Sequence, residues 1–250
     1  MKTITKKISL LLVLSATLLL SSCLSMGDRH YIGTDEVSYI TEGQITGKVY
    51  ARTLAGFLIT SPKIQQLTPG TIARLSYQVK PDEDQTVTVD DNTVAYIVEL
   101  GAEPETLDQT ILNFSTAPDV PAVKFESLRE PLFFQHEFFG DRWIFPYTYK
   151  AKKGENVKVS FYKASDEDAL AVNCNVLIDV RLEKFGTAES GAADKIEGDN
   201  IVVDFSQIRT LYSDKADTQG KIRIKFRYHR LDYNDLYVSQ NAYLMHIDNN

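Results

Sequence analysis

Short runs in which apolar and polar residues alternate restrict the fold of this chain more than any other feature. The clearest run is "KIRIKFRYHR", from Lys221 to Arg230, and a second run extends from Ile72 to Val79. Successive side chains of a β-strand point to opposite faces, so a period of two predicts strands with one buried face. The chain also contains 13 tyrosines and 12 phenylalanines, residues that strands favour. We therefore predict an all-β protein.

The strand-like runs form two groups. Five runs between residues 35 and 105 predict a small barrel or sandwich, with a turn signal at Thr68–Gly70. The next segment, residues 106–122, is rich in proline and is predicted to be an inter-domain linker with a short helix-like piece at about Glu105–Asn113. Six or seven further runs within residues 123–250 predict an immunoglobulin-like β-sandwich.

The first 22 residues have the pattern of a secretory signal. Lys2, Lys6 and Lys7 precede an apolar run that is too short to span a bilayer. The run ends in Leu-Ser-Ser-Cys, with Cys23 last, and this sequence resembles the lipobox of bacterial lipoproteins. The resemblance implies cleavage after residue 22, lipidation of Cys23 and a membrane attachment through the lipid alone. Residues 23–34 are then the tether.

The residues after Cys23 bear on the location of the protein. Leu24 and Ser25 differ from the aspartate that is linked in some bacteria to retention at the inner membrane. The lipobox resemblance therefore implies an outer-membrane lipoprotein. The sequence leaves open whether the protein faces the periplasm or the cell surface.

Charge and cysteine content limit the functions we expect. The formal net charge is −7, and removal of the three lysines in the signal segment makes it −10. Nucleic-acid binding depends on neutralising phosphates with basic side chains, so nucleic acid is not an expected partner. After lipidation of Cys23 the chain has one thiol, Cys174, which lies in a strand-like run and is predicted to be a small buried residue.

Two longer segments carry a resemblance to a known family. They are "GFLITSPKIQQLTPGTIARLSYQV", which starts at Gly56, and "IFPYTYKAKKGENVKVSFY", which starts at Ile144. Together with the lipobox, their order is similar to that of the NigD-like lipoproteins of Bacteroidetes. The resemblance implies an OB-like barrel over residues 35–105 and a β-sandwich over residues 123–250. The family brings no catalytic motif, and its name derives from a bacteriocin locus, which hints at immunity.

Two candidate sites follow from the sequence. The basic strand face consists of Lys221, Arg223, Lys225, Arg227 and His229. These side chains are expected to point outward and could contact lipid phosphates, an acidic glycan or an acidic protein partner. The alternative is a solvated face that protects an edge strand or pairs with neighbouring carboxylates. The aromatic platform consists of Trp143, Phe138 and Phe139, which could stack on a sugar or instead pack in the core.

Catalysis and metal binding are not predicted. His136, Glu137 and Asp141 lie close in sequence, but adjacent strand residues point to opposite faces, so we expect no metal site and no cofactor. No motif of an enzyme is present. The sequence predicts a non-catalytic binding module of the outer membrane for a glycan or an envelope protein. The alternative is an immunity-like or structural factor that acts by protein contact, and burial of Trp143 would favour it.

Overall fold

The structure is a computed structural model that describes residues 30–119, 123–133, 139–234 and 236–247. Within these ranges the chain is all-β, as predicted, and its strands form two sheets. The first sheet contains β1 (Tyr31–Glu42), β2 (Val49–Thr53), β3 (Leu58–Thr60), β4 (Ile72–Val79), β5 (Thr86–Asp90), β6 (Thr93–Ile97) and β7 (Glu105–Thr106), with a 3-10 turn, η1, at Ile64–Gln66.

The second sheet contains the remaining strands. They are β8 (Asp108–Asn113), β9 (Phe125–Leu128), β10 (Arg142–Ala151), β11 (Glu155–Lys163), β12 (Val176–Gly186), β13 (Lys195–Asp204), β14 (Lys221–His229), β15 (Leu236–Val238) and β16 (Tyr243–His246). Two short helices, α1 (Asp166–Ala171) and α2 (Ser206–Tyr212), and the 3-10 turn η2 (Ser213–Lys215) connect them. No helix in the described ranges is long and apolar enough to cross a membrane.

The first sheet curls into a barrel of the OB type. The long strand β1 pairs antiparallel with β2 at one end and with β4 along most of its length, and a bulge between Gly33 and Glu36 bends it. Strand β3 pairs in parallel with β6. An isolated bridge between Tyr77 and Leu100 then joins the segment after β6 to β4, the neighbour of β1, so the sheet curls back on itself. The structure thus confirms the predicted OB-like barrel.

The second sheet folds into two layers that share one strand. The first half of β8 pairs in parallel with β13, and its second half pairs in parallel with β11. One layer is therefore β8-β13-β10-β9, and the other is β8-β11-β12-β14 with β15 and β16 beyond it. Between the layers lies a core that includes the buried rings of Trp143, Phe145 and Phe161. This is the predicted β-sandwich.

Two of the predicted boundaries need correction. The segment 106–122 is not a plain linker, because it contains β8, and the helix-like piece predicted at Glu105–Asn113 forms strands instead. Local propensity favoured a helix there, but main-chain pairing with both β11 and β13 overrides it. At the other end, β1 begins at Tyr31, inside the segment 23–34 that was predicted to be the tether.

The barrel and the sandwich share an apolar cluster. It contains Ile72 from the barrel and Ile144 and Val202 from the sandwich, and all three are at most 1% exposed. Tyr39 of the barrel packs against this cluster, and the guanidinium carbon of Arg142 lies 5.4 Å from the centre of its ring. Burial of these side chains removes apolar surface of both parts from water, which couples the barrel to the sandwich.

Candidate functional site

Strand β14 has the alternation that the sequence predicts. Its apolar side chains are buried: Ile222 and Ile224 are 0% exposed and Phe226 is 2% exposed. The basic strand face accordingly points away from the core. However, β14 is not an edge strand, because β12 flanks it on one side and β15 and β16 pair with it on the other. The predicted role of the basic residues in protecting an edge is therefore wrong.

The members of the basic strand face have different partners. The Nε and one Nη of Arg227 donate to the two carboxylate oxygens of Asp179 at 2.6 and 3.0 Å, and Arg227 also donates to Asp168 at 3.0 Å. These bonds raise the pKa of Arg227 above its usual value. Lys221 donates to the side-chain oxygen of Gln219 at 3.0 Å. The prediction that neighbouring carboxylates pair with this face thus holds for Arg227, whose charge is compensated.

His229, at the end of the same face, has cationic neighbours instead. Burial lowers its pKa, and the charges of Arg181 and Lys124 lower it further, with partial compensation by Asp179. Lys124 precedes β9 and Arg181 lies on β12, so three separate segments contribute to one group. We call Lys124, Arg181 and His229 the cationic cluster. The sequence singled out His229 but missed the other two residues.

The predicted aromatic platform is not open to solvent. Trp143 is 3% exposed and Phe139 is 0% exposed, while Phe138 lies outside the described residues. Phe133 stacks on Trp143 with ring centres 4.3 Å apart. Trp143 belongs to the core of the sandwich, and Phe139 belongs to the cluster between barrel and sandwich. Buried rings cannot stack on a sugar, so these two residues do not form the platform.

A different aromatic group lies at the rim of the sandwich, where Tyr237 and Tyr243 are partly exposed and Tyr228 is 6% exposed. A pocket of about 430 Å³ lies there, and we call it the tyrosine pocket. Its walls include Tyr228, Tyr237, Tyr243, Arg230, Gln240 and Asn241. The rings of Tyr228 and Tyr237 are 5.2 Å apart, and the guanidinium carbon of Arg230 lies 4.9 Å from the centre of the Tyr237 ring.

The buried side chain of Trp143 packs against the core side of this pocket. The ring of Tyr243 packs edge-on against Trp143 at 6.2 Å and lies 5.5 Å from the ring of Phe226. The hydroxyl of Ser239 accepts a hydrogen bond from the main-chain N–H of Phe226 and donates one to the carbonyl of Asn241, both at 3.1 Å. These contacts hold the connection between β15 and β16, which carries the amide side chains of the pocket.

The polar groups of the tyrosine pocket are mostly neutral. Burial raises the pKa values of Tyr228 and Tyr243 to about 12 each, so both phenols keep their protons at neutral pH. The hydroxyl of Tyr228 donates to the main-chain carbonyl of Leu128 at 3.4 Å. Arg230 is paired through two hydrogen bonds with Asp232. Ring faces, phenol and amide groups therefore share one concave surface. The stretch "LYVSQNAYLM", from Leu236 to Met245, carries several of these residues, but its pattern alone predicts a strand and not a pocket.

A larger cavity, of about 720 Å³, lies on the barrel beside Tyr77 and Lys80. Its polar groups are already engaged: Lys80 pairs with Glu83 at 3.0 Å, and the hydroxyl of Tyr77 donates to Glu36 at 3.0 Å. Binding there would have to break these bonds, so this cavity is the weaker candidate.

Of the remaining residues that the sequence analysis considered, the structure describes Asp141 and Cys174. In the described part of the chain, no group of three or more His, Cys, Asp and Glu residues could hold a metal ion. Asp141 pairs with Arg209 at 2.7 Å, whereas His136 and Glu137 lie outside the described residues. Cys174 is 7% exposed, as predicted, and burial raises the pKa of its thiol. Cys23 also lies outside the described residues.

No protein-family model and no curated protein matches the chain. Solved structures do match. A protein of Bacteroides fragilis described as a lipoprotein is 16% identical, with a TM-score of 0.53, and the match covers 88% of this chain and 99% of that one. A toxin-related protein of Parabacteroides distasonis is 8% identical, with a TM-score of 0.53, and the match covers 88% and 95%.

A NigD-like immunity protein of Bacteroides caccae also matches. It is 12% identical, with a TM-score of 0.51, and the match covers 89% of this chain and 99% of that one. At these identities the matches show a shared fold. The chain thus has the same two-part architecture as a NigD-like protein, which confirms the fold that the sequence resemblance implied.

Proposed function

We propose that the protein is a lipid-anchored, non-catalytic binding module of the outer membrane that captures a glycan in the tyrosine pocket. The observation that carries this proposal is the presence of three tyrosine rings beside amide and guanidinium groups in one cavity of about 430 Å³. A sugar ring presents an apolar C–H face and a rim of hydroxyl groups. Aromatic faces and a few placed polar groups suit both features.

The anchor is part of the same proposal. Support comes from the signal pattern that ends at Cys23 and from the shared fold of the Bacteroides fragilis protein described as a lipoprotein. The outer membrane is proposed because Leu24 and Ser25 follow the cysteine. A lipid anchor would hold the barrel near the bilayer and leave the sandwich, with its pocket, to reach a ligand.

We further propose that the protein does not hydrolyse the bound glycan, because of the residues that line the tyrosine pocket. Glycoside hydrolysis usually needs two carboxyl groups on either side of the bond. Among the described lining residues Glu130 supplies the one carboxylate, and the carboxylate of nearby Asp232 is engaged by Arg230. The tyrosine pocket is therefore better suited to holding a sugar than to hydrolysing it.

The test is a binding titration of the mature chain with maltohexaose, xylohexaose and chitohexaose, followed by calorimetry. We expect at least one of them to bind. We expect Tyr237→Ala and Gln240→Ala to weaken that binding about tenfold, because they remove a stacking surface and a hydrogen-bonding group. Tyr31→Ala, a partly exposed tyrosine on the barrel, is the matched control and should bind as the unmodified chain does. Equal affinity of Tyr237→Ala, or no binding by any oligosaccharide, would contradict glycan capture.

A second candidate is an immunity-like factor that acts by protein contact. The burial of Trp143 and Phe139 favours it, because it removes the platform that the sequence predicted for sugars. The shared fold of the NigD-like immunity protein supports the same reading. If this candidate is correct, expression of the protein should protect cells from a bacteriocin, and Tyr237→Ala should protect them equally well.

A further inference from the structure

We propose that the cationic cluster of Lys124, Arg181 and His229 is a binding site for a sulfate or phosphate group. The site lies on the outer surface of the sandwich and does not require that the tyrosine pocket binds a glycan. The class of its ligand follows from three features. They are the positions of the three side chains, the absence of salt bridges between them and the described carboxylates, and the geometry of the Arg181 guanidinium group.

The strand register places the three side chains together. Strands β12 and β14 run in parallel, and Val180 is the partner of Tyr228, so Arg181 and His229 are the next neighbours along the two strands. Adjacent strands are about 4.8 Å apart. The inward side chains of Val180 and Tyr228 are buried, so those of Arg181 and His229 point outward.

Lys124 completes the group from a third segment. The residue before it, Val123, bridges to Leu182, and the residue after it, Phe125, bridges to Arg230. Lys124 therefore lies between the interior of β12, at Leu182, and the residue that follows β14, Arg230. Phe125 is 0% exposed and faces the core, so Lys124 points to the same outer surface as Arg181.

Neighbouring carboxylates compensate this charge only in part, through Asp179. Asp179 is bound by Arg227 at 2.6 Å, and Asp232 is bound by Arg230 at 2.7 Å. Glu183 lies opposite Lys158 in the register of β11 and β12 and forms no salt bridge with Arg181 among the described residues. The chain as a whole is acidic, with a formal net charge of −7, and this group of three cations, which forms no salt bridge among the described residues, contrasts with that overall charge.

Arg181 has capacity to bind a ligand. Its Nε is buried and has no hydrogen-bond partner in the described part of the chain. Arg181 also lines a cavity of about 430 Å³ with Asp168 and Asp179, but Arg227 binds both of these carboxylates. A guanidinium group can donate two parallel hydrogen bonds to two oxygens of one tetrahedral anion, and Lys and His side chains can donate to the remaining oxygens.

The behaviour of His229 agrees with this site. Burial and the positive charges of Arg181 and Lys124 lower the pKa of its imidazole. A bound anion would offset those charges and favour the protonated ring, so anion binding should raise the pKa of His229. The same change provides a readout that is specific to the cluster.

The first experiment follows the histidine resonances of the mature chain by NMR during titration with sodium sulfate or sodium phosphate, with sodium chloride at equal ionic strength as reference. We expect saturable shifts of His229 and an increase of its pKa, with little change at His246. Arg181→Gln should weaken sulfate binding about tenfold, because it removes the two parallel hydrogen bonds. Arg223→Gln removes a charge from the same strand outside the cluster and should change binding less than about twofold.

A second variant tests the site in case Arg181→Gln fails to fold. His229→Gln removes a ring that is partly exposed and should keep the unfolding temperature while it weakens sulfate binding. Two results would overturn the proposal: equal sulfate affinity of Arg181→Gln and the unmodified chain, or the same response of His229 to sulfate and to chloride.

Sugar-borne and free anions are distinguished by a third titration. Tyr228 and Arg230 line the tyrosine pocket and flank His229 along the chain, so a sulfated or phosphorylated sugar could contact both surfaces. If the anion is carried by a sugar, glucose 6-sulfate or glucose 6-phosphate should bind more tightly than the inorganic ion, and Tyr237→Ala should remove the difference. If the site takes the free ion, both forms should bind equally and Tyr237→Ala should have no effect. Failure of the neutral oligosaccharides to bind would leave the anion site intact.

Discussion

Two arginines on adjacent strands of the sandwich have different surroundings, and the difference decides what each can do. Arg227 lies beside Asp179, which is 6% exposed, and the pair is closed by two hydrogen bonds. Removal of one partner from a buried pair leaves an uncompensated charge, which destabilises the fold. The role of Arg227 is therefore structural. Arg181 lies on β12, two residues after Asp179. It has no carboxylate partner among the described residues, so its charge is available for a ligand.

At the residue scale, Asp166 predicts a dependence of stability on pH. It accepts hydrogen bonds from Lys163 at 2.8 Å and from Lys215 at 3.1 Å, and these bonds lower its pKa to about 2. A lowered pKa in the folded state stabilises the fold above the unfolded pKa of about 4, and this contribution is lost as the pH falls towards 2. Because the side chain is 54% exposed, the contribution should be no more than about 1 kcal/mol.

The measurement is the free energy of unfolding in urea between pH 7 and pH 2. Asp166→Asn should be less stable than the unmodified chain at pH 7, and the two should converge near pH 2. Asp194→Asn, which changes an exposed carboxylate with no partner among the described residues, is the control and should differ little at any pH. A destabilisation by Asp166→Asn that stays constant over this range would contradict the assignment.

At the scale of elements, β8 is the strand that local sequence misassigned and that the sandwich depends on. It pairs with β13 through its first half and with β11 through its second half, so it connects the two layers. Its side chains alternate: Leu112 is 2% exposed and belongs to the core, whereas Ile111 is 60% exposed. An apolar pair of neighbours with opposite exposure provides a direct test of this assignment.

We expect Leu112→Ala to lower the free energy of unfolding by about 2–5 kcal/mol, because it removes buried methyl groups and leaves a cavity. Ile111→Ala should lower it by less than about 1 kcal/mol. Chemical unfolding of both variants measures the difference. Similar small effects of the two substitutions would mean that residues 106–122 behave as a linker after all.

The candidate sites were predictable to very different degrees at this scale. The outward direction of Arg227 and His229 follows from the alternation along β14, a property of neighbouring residues. The sequence did not reveal that Arg181 joins His229, because that contact depends on the parallel register of β12 and β14. For Trp143 the sequence left a core and a surface position open, since an aromatic residue near polar groups is compatible with either, and the structure shows the core position.

At the scale of the whole molecule, the barrel and the sandwich meet through a shared apolar cluster and a proposed anchor lies before the barrel. Ile72 of the barrel packs in this cluster with Ile144 and Val202 of the sandwich. Strand β1 begins at Tyr31, so a lipid on Cys23 would hold the barrel on a short connection of at most about 25 Å. The tyrosine pocket belongs to the sandwich, which the chain reaches after the barrel.

The anchor itself is tested with the two cysteines of the chain. Cells grown with labelled palmitate should incorporate the label into the protein and retain it in the membrane fraction. Cys23→Ala should abolish both, because it removes the acceptor thiol, whereas Cys174→Ala is the matched control and should keep both. Membrane retention of the Cys23→Ala variant would contradict lipid anchoring. Protease treatment of intact cells then shows whether the protein faces outward.

The sequence predicted the properties that depend on neighbouring residues. It did not predict those that depend on pairing between strands distant in sequence. The period of two along β14, the turns between strands and the burial of Cys174 depend on short stretches of chain, so the all-β class and the strand faces could be predicted. The role of β8, the interior position of β14, the cationic cluster and the tyrosine pocket depend on which strands pair and in which register. Register is determined by the packing of the entire core, and for that reason only the tertiary structure decided where the candidate surfaces lie.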